Sequence, residues 1–249
     1  MVTGLMTGCV SPRSSNMTLM AQIDRPAYGA ACIRSAQWRT GLIAMATIAL
    51  GFVFSATALA NDAFDRPSLL NAASDVARAD IVRADRHILI VRHARKADES
   101  CNALDCPLGE NGLAMVERLD ILLGEPDFDA VFSSSACRTY QTALPAGDVV
   151  QHAAAPSAAD MCGGGIADRT RAEALDAAVA SDARWTFVAE HSNTSCGWVA
   201  GIAGPELLEG TLCAGGQLES GDYGDIFWLY RTDGSWRLEV LEAAFDIDG

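Results

Sequence analysis

Two histidines and two arginines stand at positions where their side chains could bind and transfer a phosphate group. Arg92 and His93 directly follow the apolar run ILIV, His191 follows a second apolar run, and Arg138 comes soon after three consecutive serines. A neutral imidazole is a nucleophile, and a planar guanidinium group binds phosphate through paired hydrogen bonds. The fixed positive charge around His93 favours its neutral form. These residues therefore predict phosphoryl transfer, in which one imidazole attacks phosphorus while the arginines and the other imidazole bind the phosphate oxygens.

The alternation of segments along the chain predicts how these residues meet. Short apolar runs alternate with amphipathic segments, which is typical of a mostly parallel sheet covered by helices. We predict an α/β fold, a three-layer sandwich with a mostly parallel central sheet covered by helices on both faces. Ligands of such sheets bind outside the carboxyl ends of the strands, so residues that follow the strands would share one crevice. The predicted strands are residues 88–92, 130–133, 149–152 and 185–190, the helices 111–123, 138–143, 169–180 and 194–202, and the final hairpin 226–230 with 236–241.

Four segments resemble the histidine phosphatase superfamily, also called phosphoglycerate mutase-like. They are VRHARKAD at 91–98, VFSSSACRTYQTALP at 131–145, AEHSNTSCGWVAGIAG at 189–204 and YGDIFWL at 223–229. The sequence looks closest to a subgroup of small exported bacterial members that open with R-H-A-E-K and carry H-S-N-T at the second histidine. The resemblance implies that His93 is the phosphorylated nucleophile. It also implies that no metal or other cofactor is needed, and that the phosphate pocket is completed by Arg92, Arg138 and His191.

Substrate binding is predicted for a wider set of residues, namely Arg92, Lys96, Ser135, Arg138 and Asn193. Ser135 is either a phosphate donor or the cap of the helix that follows it, and Asn193 either contacts the ligand or caps the next helix. The other two histidines are predicted to be structural. His87 stands at the wrong end of its strand, and His152 has no second motif around it.

The acid that protonates the leaving group is left open, with Glu190, Asp98 and Glu99 as the main candidates. Asp105 in the loop after the nucleophile and Asp160, which lies near the segment where many members of the resembled family carry their acid, are also considered. Glu190 adjoins His191, but neighbours on a strand point to opposite faces of the sheet. Asp98 and Glu99 lie in the loop after the nucleophile. The chain also departs from the subgroup at Arg95, where glutamate is usual. An enzyme without a dedicated acid could still cleave phosphoramidates or acyl phosphates, whose leaving groups need little protonation.

Two functions from different classes fit these residues. The first is an exported phosphatase that hydrolyses a phosphorylated small molecule or a phosphoprotein through a phosphohistidine at His93. The alternative is a catalytically weak or inactive phosphate-binding protein on the same fold, suggested by Arg95 and by the unplaced acid. A phosphoglycerate mutase is a less favoured third option, because export would separate it from glycolysis and leave it without an obvious substrate. The formal net charge of −14 argues against a nucleic-acid partner, because binding a phosphate backbone requires a basic surface. The chain has no G-x-S-x-G motif, which argues against a serine hydrolase.

Residues 1–60 are predicted to be a signal peptide. An arginine precedes an uncharged apolar stretch at 41–57, and the sequence A-L-A provides a cleavage site before Asn61. The part before the apolar stretch is long for a signal peptide, so a start at Met17 or Met20 is also considered. The alternative is an uncleaved membrane anchor, because the apolar stretch could just span a bilayer. The expected location is periplasmic or secreted, and a membrane is a partner only if the leader is uncleaved.

The rest of the chain is predicted to comprise a linker at 61–86 and a histidine phosphatase-like domain at 87–249. A loosely docked helix is the alternative to a linker over residues 61–85. Six of the eight cysteines lie in this domain, and an even number in an exported chain is consistent with disulfides. Six cysteines allow fifteen pairings. The favoured pairs are Cys101–Cys106, Cys196–Cys213 and Cys137–Cys162. The chain has no C-x-x-C motif and few histidines, which argues against a zinc site.

Overall fold

A six-stranded sheet forms the centre of the protein in the computed structural model, which describes residues 64–247 except 126, 156–159 and 163–164. In chain order the elements are α1 (Pro67–Ala72), α2 (Asp75–Arg83), β1 (Arg86–Arg92), α3 (Glu110–Leu123), β2 (Ala130–Ser134), α4 (Cys137–Ala143), β3 (Val149–His152), β4 (Asp160–Met161), β5 (Gly165–Ile166), α5 (Arg171–Ala180), β6 (Trp185–Glu190), α6 (Ser195–Ala203), β7 (Ile226–Thr232) and β8 (Ser235–Leu241). The predicted signal peptide, its cleavage site and the alternative starts lie outside the described residues.

The sheet has the order β3-β2-β6-β1-β7-β8, with β4 and β5 forming a separate two-stranded sheet. The first four strands of the large sheet are parallel, and β7 and β8 are antiparallel additions at one edge. The predicted fold class, with a mostly parallel sheet, is confirmed. Every predicted strand and helix is present, and the ends differ from the prediction by at most two residues.

The central strand β1 is buried along its whole length because its side chains enter two different layers of core. Leu89 and Val91 pack with the layer that contains α1, α2 and α3, whereas Ile88 and Ile90 pack with the layer that contains α5 and α6. A strand covered on both faces must be apolar at successive positions, which explains the run ILIV. Its polar residues are therefore placed at its ends, where the chemistry lies.

The segment predicted as a linker is instead part of the domain from residue 64 onwards. It forms α1 and α2, and the side chains of Leu69, Leu70 and Ile81 are completely or almost completely buried in the core. Ser74 caps α2 by accepting a hydrogen bond from the backbone of Ala77. The apolar pattern of this segment is weak because these few large apolar residues are separated by alanines and charged residues.

Gly112 lies in α3 where the helix packs directly against the loop that follows the predicted nucleophile. A Cβ atom at Gly112 would overlap the carbonyl oxygen of Arg95. We expect Gly112→Ala to lower the free energy of unfolding by about 1–3 kcal/mol, because the backbone must move to relieve the overlap. The matched control is Gly197→Ala in α6, where a Cβ meets nothing within 4 Å. Urea denaturation checks both, and equal destabilisation of the two variants would contradict the packing argument.

Candidate active site

The two predicted active-site histidines follow the carboxyl ends of β1 and β6, the two adjacent strands at the centre of the sheet. Arg92 ends β1 and pairs with Glu190, which ends β6. His93 and His191 follow these residues, and the backbone N–H of His93 donates to the carbonyl oxygen of Glu190 at 2.8 Å. The two imidazole rings meet edge to face with their centroids 5.4 Å apart. The parallel register of β1 and β6 therefore brings together the residues that the sequence predicted to meet.

A cavity of about 600 Å³ opens at this edge of the sheet. Its walls contain four cationic side chains and both histidines, and no aspartate or glutamate is found among the described residues that line it. The cavity is therefore suited to an anion. The lining residues are Arg92, His93, Lys96, Asn102, Leu104, Arg138, Ala154, Ala155, Arg171, His191, Ser192, Asn193 and Thr194.

His93 is held in the form that can act as a nucleophile. Its Nδ1 lies 2.8 Å from the carbonyl oxygen of Ala94. A carbonyl only accepts, so Nδ1 carries the proton and Nε2 carries a free lone pair. Burial lowers the pKa of His93 well below its ordinary value, and the positive charges of Arg138 and Arg92 lower it further. The imidazole is therefore neutral at physiological pH, with its basic nitrogen available to a ligand in the cavity.

His191 is fixed by a polar chain that runs into the protein. Nη2 of Arg138 lies 3.4 Å from Nδ1 of His191, and Oγ of Ser134 lies 2.8 Å from Nε2. Because a guanidinium only donates, Nδ1 is the acceptor and Nε2 donates to Ser134. Ser134 in turn lies 2.7 Å from the hydroxyl of Thr139. Burial lowers the pKa of His191 to about 4, so this imidazole is also neutral when the cavity holds no anion.

The two predicted phosphate-binding arginines are buried but retain free donors. Nη1 of Arg92 donates to three backbone carbonyls of residues 219–222, and its guanidinium lies 3.7 Å from the ring centroid of Tyr223. Nη1 of Arg138 donates to the carbonyl oxygen of Ala103. The Nε atoms of both arginines have no partner, and neither guanidinium forms a salt bridge with a described carboxylate. Two buried guanidinium groups that form no salt bridge with a described carboxylate favour an incoming anion.

Of the remaining predicted substrate-binding residues, Asn193 and Lys96 line the cavity and Ser135 does not. The ammonium group of Lys96 donates to the backbone carbonyls of Glu99 and Cys101, so it also holds the following loop closed. Ser135 is fully buried, and its hydroxyl accepts from the backbone of Ala154. It does not cap α4, whose N-cap residue is Ala136. The polar contact to the site comes instead from the preceding serine, Ser134.

Glu190 is unsuited to the proton-donor role considered for it. Its carboxylate is fully buried and accepts hydrogen bonds from His152, Arg171 and Trp198 at 2.8–2.9 Å. Burial by itself would raise the pKa of Glu190, but the hydrogen bond and charge of His152 and the charge of Arg171 hold it well below its ordinary range. Glu190 is therefore a permanent carboxylate behind the site. The carboxylate of Glu190 is not among the groups that line the cavity.

The other two main candidate acids differ in where they lie. Asp98 is exposed and accepts from the backbone and hydroxyl of Ser100, which lowers its pKa. Glu99 accepts from the hydroxyl of Tyr223 at 3.0 Å. The ring of Tyr223 stands edge-on to His93, with centroids 6.1 Å apart. Glu99 is therefore linked to the nucleophile through one side chain, whereas Asp98 is not.

Several residues with contacts at the site were missed by sequence reasoning. The ring centroid of Tyr223 lies 3.7 Å from the guanidinium of Arg92 and 4.7 Å from that of Arg95. Arg95, which departs from the subgroup pattern, also forms a salt bridge of 2.9 Å with Asp246 near the C-terminus. Arg171 lines the cavity although its sequence context indicated only the start of a helix. Tyr223 begins the segment YGDIFWL at 223–229, which resembles the superfamily, so the sequence provided some indication of its importance. Nothing in the sequence indicated that Arg171 lies at the site.

The three favoured cysteine pairings are confirmed: Cys101–Cys106, Cys137–Cys162 and Cys196–Cys213. The first closes the loop that contributes Asn102 and Leu104 to the cavity wall. In the second, Cys137 immediately precedes Arg138, and in the third, Cys196 lies in the first turn of α6 beside the turn after His191. Each disulfide therefore constrains a segment that forms part of the site.

A neutral histidine, a second histidine and two arginines meet at the carboxyl edge of the α/β sheet, an arrangement that can bind a phosphate group and attack it through an imidazole. Residues 88–197 match the model of the histidine phosphatase superfamily (branch 1). The matched segment contains Arg92, His93, Arg138 and His191. It supports the superfamily that the motifs indicated.

Solved structures similar to this chain include several phosphatases. A mycobacterial glucosyl-3-phosphoglycerate phosphatase in complex with inorganic phosphate is 19% identical, covers 65% of this chain and 99% of its own, and gives a TM-score of 0.44. An Agrobacterium tumefaciens protein assigned as the phosphohistidine phosphatase SixA is 21% identical, with coverages of 61% and 94% and a TM-score of 0.42. The α-ribazole phosphatase of Shigella flexneri is 15% identical, with coverages of 64% and 96% and a TM-score of 0.41.

No curated protein matches the chain. Within the described residues, no helix has the length and apolar character needed to cross a membrane.

Proposed function

We propose that this protein is an exported phosphatase that hydrolyses a phosphorylated small molecule or a phosphoprotein through a phosphohistidine at His93. The observation that carries the proposal is the state of His93: Nδ1 is protonated and bonded to Ala94, and Nε2 faces a cationic cavity with its lone pair free. A structural histidine has no need of a free basic nitrogen beside two unpaired arginines. The superfamily match supports the same assignment.

In the first step Nε2 of His93 attacks phosphorus, and the bond between phosphorus and the leaving-group oxygen breaks. Arg92 and Arg138 bind the phosphate oxygens, whose negative charge is shared among them in the transition state. The approach of the phosphate favours protonation of His191, which can then donate to the same group. The products of this step are phosphohistidine and the leaving group, which receives a proton.

In the second step a water molecule attacks the phosphohistidine, the N–P bond breaks, and inorganic phosphate leaves. The same cations stabilise the charge, and Nε2 regains its lone pair. A group that gives a proton in the first step can accept one from water in the second. Among the acids considered, Glu99 is the one connected to the site, through its hydrogen bond with the tyrosine that packs beside His93, although its carboxylate does not line the cavity.

The alternative is a phosphate-binding protein with weak or no turnover. It draws support from the absence of any aspartate or glutamate among the described lining residues. Arg95 no longer supports it, because the salt bridge with Asp246 and the contact with Tyr223 give this residue a structural role beside the cavity.

Export is the remaining part of the proposal. The arginine-flanked apolar stretch and the A-L-A site before Asn61 support a cleaved leader. Three disulfides within the domain also fit an oxidising compartment such as the periplasm. The membrane-anchored form is the alternative outcome.

The test is the intact mass of the exported wild-type protein after brief exposure to an aryl phosphate, with acid-labile adducts preserved. We expect a gain of one phosphoryl group, located by peptide mapping on the segment that contains His93 and removed by mild acid. Phosphate binding without an adduct and without released phosphate would favour the binding-protein alternative. The same spectrum shows whether the mature chain begins at Asn61, as the signal-peptide prediction requires.

A further inference from the structure

The guanidinium group of Arg92 is held by a short turn that precedes β7. Its Nη1 donates to the backbone carbonyl oxygens of Glu219, Ser220 and Asp222, at 2.9, 3.1 and 2.8 Å. The turn that presents these carbonyls is closed by a hydrogen bond of 2.8 Å from the backbone N–H of Glu219 to Oδ2 of Asp222. One nitrogen of the guanidinium is therefore engaged by a turn in the segment between α6 and β7.

The residue that follows this turn, Tyr223, contacts the same guanidinium with its ring. The guanidinium of Arg92 lies over the ring, 3.7 Å from the centroid, and both side chains are buried. This is a cation–π contact, in which the negative face of the ring attracts the cation. The phenol hydroxyl donates to Glu99 at 3.0 Å, which holds the other end of the ring. Residues 219–223 thus form what we call the Arg92 socket, with three carbonyls at one nitrogen and an aromatic ring on one face of the guanidinium.

The Arg92 socket leaves one edge of the guanidinium unoccupied. Nε of Arg92 is buried and has no hydrogen-bond partner, and within the described part of the chain only Nη1 of the two terminal nitrogens has partners. The N–H groups of Nε and Nη2 are parallel on one edge of the planar group, an arrangement that binds two oxygens of one phosphate. Arg92 lines the cavity, and a buried donor without a partner costs free energy, so this edge is suited to a bound anion.

The groups that hold Arg92 in the socket are all neutral. Three of them are backbone carbonyls, and burial raises the pKa of Tyr223, so its phenol keeps its proton. A carboxylate in their place would also orient the guanidinium, but it would compete with a phosphate for the positive charge. Arg171 shows this contrast in the same cavity, because its Nε donates to the carboxylate of Glu190. The Arg92 socket therefore orients a cation and leaves its charge available to the substrate.

We propose that Tyr223 is a positioning residue for phosphoryl transfer, which together with the turn at 219–222 holds the free edge of the Arg92 guanidinium towards the phosphate. This inference rests on the proposed function, because it assumes that the phosphate to be transferred binds at Arg92 and His93. Tyr223 is not among the described residues that line the cavity, so it acts through Arg92 and not on the substrate.

Binding of inorganic phosphate, measured by calorimetry, tests this role without depending on turnover. We expect Tyr223→Leu to weaken phosphate binding about tenfold, because the guanidinium loses the ring that fixes its plane. Tyr223→Phe keeps the ring and loses only the hydroxyl, so its phosphate affinity should stay within about twofold of the wild-type value. In an Arg92→Ala background, Tyr223→Leu should cause no further loss, because no guanidinium remains to be positioned.

The matched control is Tyr230→Leu, which removes a buried tyrosine of β7 that pairs with His87, at the opposite end of β1 from Arg92. It should lose stability and keep the affinity for phosphate. If Tyr223→Leu does not fold, phenylalanine analogues with increasing fluorination at position 223 keep the shape of the ring and weaken its negative face. Phosphate affinity should then fall stepwise with fluorination.

Three results would overturn the positioning role of Tyr223. They are an unchanged phosphate affinity in folded Tyr223→Leu, an additive loss in the Arg92→Ala background, and no response to fluorination of the ring. Failure of the wild-type protein to bind phosphate would instead reject the phosphate pocket itself, and the proposed function with it.

Discussion

His93→Ala is expected to abolish the phosphoenzyme and to lower kcat/KM by at least about 10⁴-fold, the loss typical of removing a nucleophile that works with other groups. No other side chain is placed to replace it. His191 has both nitrogens engaged, one with Arg138 and the other with Ser134, and the described lining contains no carboxylate. Hydrolysis of an aryl phosphate and the intact-mass adduct measure the loss.

Phosphate binding should survive in His93→Ala, because Arg92 and Arg138 keep their donors. A matched control is His87→Phe at the opposite end of β1. His87 stacks on Trp185 with centroids 4.1 Å apart, and burial lowers its pKa to about 3. This variant should keep kcat/KM while losing stability. A phosphoryl adduct that persists in His93→Ala would show that the nucleophile is another residue.

The central part of the site could be predicted because a parallel sheet places the ends of its strands together. A strand buried on both faces must be apolar, so the first charged residues after it mark its end. This reasoning located Arg92, His93 and His191, and the order of the motifs added Arg138. The positions did not depend on side-chain detail, only on the strands being parallel and adjacent.

The predictions were less successful in two situations. In one, a shift of a single residue along a strand changes which side chain makes a contact; in the other, the contact partner is distant in the sequence. Three successive serines end β2, and only the structure shows that Ser134 reaches His191 while Ser135 bonds to the backbone of Ala154. The environment of Glu190 depends on His152 from β3 and on Arg171 from α5. Neither partner is close in sequence, so no local pattern could reveal them.

Arg95, which stands where the resembled subgroup usually has glutamate, shows how a contact partner distant in the sequence can change the role assigned to a residue. In the sequence it is a positive charge where related proteins carry a negative one, which suggested lost function. In the structure Arg95 forms a salt bridge with Asp246, and its guanidinium lies 4.7 Å from the ring centroid of Tyr223, which Arg92 also contacts. Arg95 is not among the described residues that line the cavity.

Arg138→Ala is expected to lower kcat/KM by about 10²- to 10³-fold, the range seen when one donor to a developing charge is removed. Arg138 is buried, lines the cavity, has no salt-bridge partner among the described carboxylates, and its Nη2 lies 3.4 Å from Nδ1 of His191. Its removal takes away two things at once: a donor to the phosphate oxygens and a positive charge beside the second imidazole. The second effect gives a measurement that does not require activity.

Burial lowers the pKa of His191 to about 4, and the charge of Arg138 contributes in the same direction. Without Arg138 the protonated imidazole is less disfavoured, so the pKa of His191 should rise towards its ordinary value of about 6.5. The chain has four histidines, and an NMR titration of their ring protons can identify His191 by comparison with His191→Gln.

Two control variants separate the charge of Arg138 from its shape. Arg138→Lys keeps the positive charge, so the pKa of His191 should stay low, but the variant should lose activity because lysine lacks the planar guanidinium that binds phosphate through two donors. Arg78→Ala, an arginine paired with Asp75 on α2, should change neither. An unchanged His191 pKa in Arg138→Ala would mean that the charge of Arg138 does not contribute to it, and that Arg138 acts only on the substrate.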